Sequence, residues 1–144
     1  IVFGDWSSDV CSSDLKILSP VKDFFALKDN IPLVILYGSA CREDFTEKSD
    51  VDLALATQVP ILVDLMAKYQ QSLELLLDRE VDLIDLKTTK GLIFYKAVTG
   101  GIRIKNNPSL FVRLLSEALY FYEDYLPLVK RTQEYRIKRF IDGT

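Results

Sequence analysis

The chain has 144 residues, 49% of them hydrophobic, and a formal net charge of −3: enough apolar material for one packed domain, in runs too short to span a bilayer, with no broad basic surface for a DNA backbone. It contains no histidine, which excludes Ser-His-Asp and Cys-His nucleophiles and any imidazole base. Cys11 and Cys41 make no disulfide framework, so a reducing cytoplasm is the expected setting, zinc is disfavoured, and a metal here is expected to be hard and oxygen-ligated.

Residues 1–15 contain a near-repeat, Trp6-Ser7-Ser8-Asp9-Val10 then Cys11-Ser12-Ser13-Asp14-Leu15. They lack amphipathic periodicity and read as a non-native or disordered leader, similar to translated adaptor sequence. From Leu15 to Lys28 the apolar spacing predicts a short amphipathic helix with Pro20 in its first turn. Leu33-Val34-Ile35-Leu36-Tyr37 then forms a continuous apolar run stopped by Gly38-Ser39, as expected of a strand buried on both faces. Asp50 to Ala56 alternates and reads as a second strand. A long helix is predicted from Pro60 to Leu77, with Ile61, Leu65, Met66, Tyr69, Leu73, Leu76 and Leu77 inward. Glu80 to Leu86 is a third strand, Thr89 to Val98 a helix closed by Gly100-Gly101, and Ile102 to Ile104 a short fourth strand. The chain from Pro108 reads as helical, with a kink or break at Pro127. This order argues one α/β domain with a small mixed sheet.

Chemistry concentrates between the first two strands. Asp50 and Asp52, two apart on a strand, leave the same face. Two close carboxylates repel, and one takes up a proton unless cations neutralise them, so the pair is costly as structure and natural as a Mg²⁺ cradle. Asp82 opens a strand of similar pattern and supplies a third carboxylate if that strand lies beside the Asp50 strand; Asp85 would point the other way. At Gly38-Ser39, the glycine lets backbone approach a triphosphate and the serine hydroxyl can donate to a phosphate oxygen.

The pattern Gly-Ser-x10-Asp-x-Asp, in YGSACREDFTEKSDVDLAL, resembles the signature of the polymerase β-like nucleotidyltransferase superfamily. Arg42, three residues after the serine, and Ser49, directly before the first aspartate, fit it too. With VDLIDL after the long helix, the chain looks like an MNT-type minimal nucleotidyltransferase, similar to antitoxins paired with HEPN ribonuclease toxins. The resemblance implies a polymerase β-like fold over residues 16–106 and a C-terminal helical segment over 107–144, a candidate partner interface. It implies two Mg²⁺ ions (or Mn²⁺) held by Asp50, Asp52 and Asp82, and triphosphate bound by Gly38 and Ser39, with Arg42 and Ser49 as further nucleotide contacts. The implied activity is transfer of AMP from ATP to a tyrosine of a HEPN toxin within a hetero-oligomer. Arg42 reads equally as a surface ion-pair residue. The chain departs from the common pattern at Cys41 and Glu43, where alanine and glycine are usual.

Two rival readings are an aminoglycoside-type transferase acting on a small molecule and a non-catalytic antitoxin that neutralises its partner by binding. Leu110, Phe111, Leu114, Leu115, Leu119, Tyr122 and Leu126 cover more than one helix face, so the excess is expected either to be buried inside the fold or to meet a partner. The basic tail from Lys130 reads as a solvated helix end or as a contact with an acidic partner or with RNA.

Overall fold

A computed structural model of the chain describes residues 12–38 and 49–141. In chain order they form α1 (Ser12–Ala26), β1 (Leu33–Tyr37), β2 (Val51–Ala56), α2 (Val63–Leu77), β3 (Val81–Asp85), α3 (Leu92–Gly100), β4 (Ile102–Lys105) and α4 (Pro108–Ile141). The strands make one mixed sheet in the order β3-β2-β1-β4. β1 runs antiparallel to both neighbours, while β2 and β3 are parallel. No helix among the described residues is long and apolar enough to cross a membrane.

The sheet is buried on both faces, as the unbroken apolar run of β1 predicts. Val34, Leu36, Val51, Leu53, Leu55, Val81 and Leu83 pack one face against α1 and α2. Leu33, Ile35, Ala54 and Ala56 pack the other against α3 and the first half of α4. Asn107 caps α4: its Oδ1 accepts from the Leu110 amide at 3.1 Å, and Pro108 occupies the first turn, where a missing N–H costs nothing.

Some boundaries differ from the pattern-based expectation. α1 begins at Ser12, which places Pro20 inside the helix rather than in its first turn. α2 starts at Val63, not Pro60. The preceding segment is tied down elsewhere: Thr57 donates its hydroxyl to the Val59 carbonyl, and the Ile61 amide donates to Asp85 at 2.9 Å. Leu76 is exposed rather than inward, and Tyr69 and Leu73 are the buried residues of α2. Pro127 does not break α4, which runs unbroken through it.

Candidate active site

The parallel β2–β3 register sets Asp52 directly beside Asp82. The antiparallel β1–β2 register sets Tyr37 beside Asp52 from the other side. Alternation puts Asp52 and Asp82 on the sheet face shared with Ala54 and Ile84, the face covered by α3 and α4. Asp50 lies one residue ahead of β2, in the same alternation, and is exposed. Asp50 and Asp82 also line a hollow of about 420 Å³ with Gln70, Glu74 and Glu80, so the edge is strongly acidic.

Electrostatics shows the carboxylates acting on one another. The Asp52 carboxyl is held above its ordinary value, by burial first, then by the charges of Asp82 and Asp50. Burial, then Asp52 and Asp82, push the Tyr37 phenol up to about 12. This tyrosine is a residue that the sequence pattern left as the last member of an apolar run. Its place in the site depends on strand register, which one sequence does not display.

Gly38 closes β1 with φ of +75°, a left-handed backbone that favours glycine. A Cβ at this position would collide with Oδ2 of Asp52 and lie 3.2 Å from its Cγ. The glycine therefore admits both the turn and the carboxylate packed against it. Ser49 is half-buried, and its carbonyl accepts from the Arg79 guanidinium at 3.4 Å. Together with the bond from the Val51 amide to the Glu80 carbonyl, 2.9 Å, this fixes the approach to Asp50 against the start of β3. Ser39 and Arg42, the other expected nucleotide contacts, lie outside the described residues.

Asp85 has a different role. It leaves the opposite face, is buried, and accepts from the amides of Ile61 and Lys87, both at 2.9 Å. Its charge is satisfied by backbone donors, which makes it a clamp between the α2 approach and the end of β3.

The donor chemistry around Asp52 is all oxygen, and negative charge is concentrated there; both suit a hard divalent cation. As placed, the described side chains do not gather three carboxylates into a ready-made cage. Closing around an ion therefore requires side-chain rotation.

A glycine turn abutting a pair of carboxylates at one end of a small mixed sheet fits a nucleotidyl-transferring enzyme. The chain belongs to the polymerase beta nucleotidyltransferase family, whose pattern it matches over residues 20–109, a span containing the whole site. Three solved structures illustrate the fold. A chain of a toxin–antitoxin crystallised with AMP-PNP is 22% identical, with a TM-score of 0.69, covering 82% of this chain and 98% of that one. A chain of the MntA-HepT toxin–antitoxin is 18% identical, TM-score 0.65, covering 85% and 97%. A chain of the tri-AMPylated Shewanella oneidensis HEPN toxin in complex with MNT antitoxin is 22% identical, TM-score 0.65, covering 85% and 98%. No curated protein matches the sequence.

Proposed function

We propose that this nucleotidyltransferase moves AMP from ATP to a tyrosine of a cognate HEPN-type toxin and so acts as its antitoxin. The observation that carries the reading is Asp52 set in register beside Asp82, with Asp50 two residues ahead of it, against the Gly38 turn. Support for the acceptor comes from structural relatives, one crystallised with AMP-PNP and another with an AMPylated toxin.

Asp50, Asp52 and Asp82 are the residues that would hold Mg²⁺, two ions in the usual scheme. When bound, the metal would lower the charge on the phosphates and favour the ionised form of the attacking hydroxyl. Gly38 lets the backbone approach the triphosphate, and Ser39 contributes a hydroxyl to it, with Ser49 and Arg42 as further nucleotide contacts. In the transfer a bond forms between the phenol oxygen and the α-phosphorus, and the bond to pyrophosphate breaks. The phenolic proton passes to a carboxylate oxygen, because the chain has no imidazole to receive it.

The test is transfer of label from α-labelled ATP with Mg²⁺, in the presence and absence of the toxin. Asp50→Asn/Asp52→Asn serves as control. Label on a toxin tyrosine, lost in the control, is expected. Tight toxin binding with no label from any triphosphate would replace this reading with neutralisation by occlusion. Label on a small-molecule acceptor alone would favour the aminoglycoside-type alternative.

A further inference from the structure

The three acidic residues of the site are not held in the same way. Asp52 and Asp82 pair inside the parallel β2–β3 ladder, and β1 supports Asp52 from its other side. Asp50 lies one residue ahead of β2 and is exposed. Where its carboxylate stands therefore follows from what holds its two neighbours, Ser49 and Val51. Both are met by the connection between α2 and β3. The Arg79 guanidinium donates to the Ser49 carbonyl at 3.4 Å, and the Val51 amide donates to the Glu80 carbonyl at 2.9 Å. The second bond is backbone on backbone and continues the ladder; the first depends on one side chain.

The chain bends sharply to deliver that side chain. α2 is capped by Asp78, whose φ of 53° and ψ of 45° are left-handed, and whose amide donates to the Glu74 carbonyl at 2.9 Å. Among the described residues no other non-glycine has a positive φ. This conformation is disfavoured for a residue with a Cβ, and aspartate is one of the few that tolerate it. Here it turns the chain from the end of the helix straight into Arg79 and Glu80, the two residues that reach the start of β2.

We infer that Arg79 is a positioning residue for the cation site: by holding the Ser49 carbonyl it fixes the backbone from which Asp50 projects toward a metal shared with Asp52. This role presupposes the proposed cation site at Asp50, Asp52 and Asp82. The sign of the effect separates positioning from plain electrostatics. Arg79 adjoins Glu80, which lines the acidic hollow with Asp50, Glu74 and Asp82. Acting through charge alone, its removal would leave the hollow more negative and tighten a divalent cation. Acting by position, its removal weakens the cation even though a repulsive charge has gone, because Asp50 must then be ordered during binding.

Mn²⁺ binding to the full chain, followed by electron paramagnetic resonance, tests this without any transfer. The nucleotide is an ATP analogue with a methylene bridge between the α- and β-phosphates. Arg79→Met should weaken Mn²⁺ by about tenfold or more, with a circular dichroism spectrum matching wild type. Arg79→Lys keeps the charge and an N–H donor, should fall between the two, and carries the test if Arg79→Met does not fold. In the metal-free chain, hydrogen exchange at Asp50 and Val51 should quicken in Arg79→Met while Leu53 to Ala56 stay protected. In transfer assays the Mg²⁺ concentration for half-maximal rate should rise, with KM for the acceptor unchanged. Mn²⁺ held as tightly or more tightly by Arg79→Met overturns the inference and leaves the cation site standing, as does unchanged exchange at Asp50 and Val51. A wild type that binds no Mn²⁺ removes the cation site itself, and this role with it.

Discussion

Asp52 and Asp85 show how one residue type serves two ends according to the face it leaves. Asp85 meets two backbone donors, whereas Asp52 feels the charges of Asp82 and Asp50 and stands beside Tyr37 in the strand register. Because the folded protein holds the Asp52 proton more tightly than the unfolded chain does, protonation favours folding. That stability is present below the ordinary value of 3.8 and is lost as pH rises through it to the raised folded value. Asp52→Asn removes the charge and keeps the shape. In metal-free buffer it should raise the melting temperature at neutral pH and have little effect below the ordinary carboxylate range. The same substitution should lower nucleotidyl transfer by about 10²-fold or more, through loss of an oxygen proposed to hold the cation. Thermal melts at both pH values decide the first point; equal shifts would mean that the carboxylate's charge is not what costs stability. The opposition of Asp82 and Asp85 was legible from strand alternation alone. Tyr37 was not, because nothing local to it reveals that β2 lies alongside in the register that pairs it with Asp52.

The strands were legible as elements because each combines an apolar or alternating run with a polar stop, and the observed ends fall within a residue or so. Helix ends were less so. α2 was expected from Pro60, where local rules place a start. A local turn bond from Thr57 to Val59 and a tertiary bond from Ile61 to Asp85 hold that segment out of the helix until Val63. Pro127 removes one helical hydrogen bond, but it sits in an exposed stretch of α4 where water can satisfy the freed carbonyl, so the helix continues. One cross-element device had no sequence signature at all. Lys105, at the end of β4, donates its ammonium to the carbonyls of Phe25 and Lys28, at 2.9 and 2.8 Å, and so closes the C-terminus of α1 against the sheet. A cation there adds a second bond to carbonyls that already accept the Lys28 and Ile31 amides, and it complements the α1 dipole. Lys105→Met should therefore lower the stability of the chain by about 1–2 kcal/mol. Its transfer activity should be unchanged, since Lys105 pairs with Val34 and not with the Tyr37 end of β1. The urea midpoint measures the loss; an unchanged midpoint would show that water replaces the contact without cost.

At the scale of the molecule, the sheet order brings together residues that are far apart in the chain. β2 sits between the strand that ends in Gly38 and the strand that carries Asp82, so a central position gathers the site from both neighbours. A site assembled in this way is present only in the folded chain, so on the proposed reading nucleotide and metal would bind the native state and stabilise it by mass action. ATP with Mg²⁺ at about a hundred times its dissociation constant should add about 2.7 kcal/mol, seen as a rise of several degrees in the melting temperature. The coupling predicts more than a simple shift. Without the cation, the negative charge gathered around Asp52 opposes a polyanionic ligand, so ATP with chelator should give a much smaller rise. Asp50→Asn/Asp52→Asn should start at an equal or higher melting temperature yet lose most of the response to ATP with Mg²⁺. Scanning calorimetry across those four conditions separates the two roles of the carboxylates. An equal rise with chelator and with Mg²⁺ would mean that the triphosphate is held by the Gly38 turn alone, leaving the acidic edge with no part in binding it.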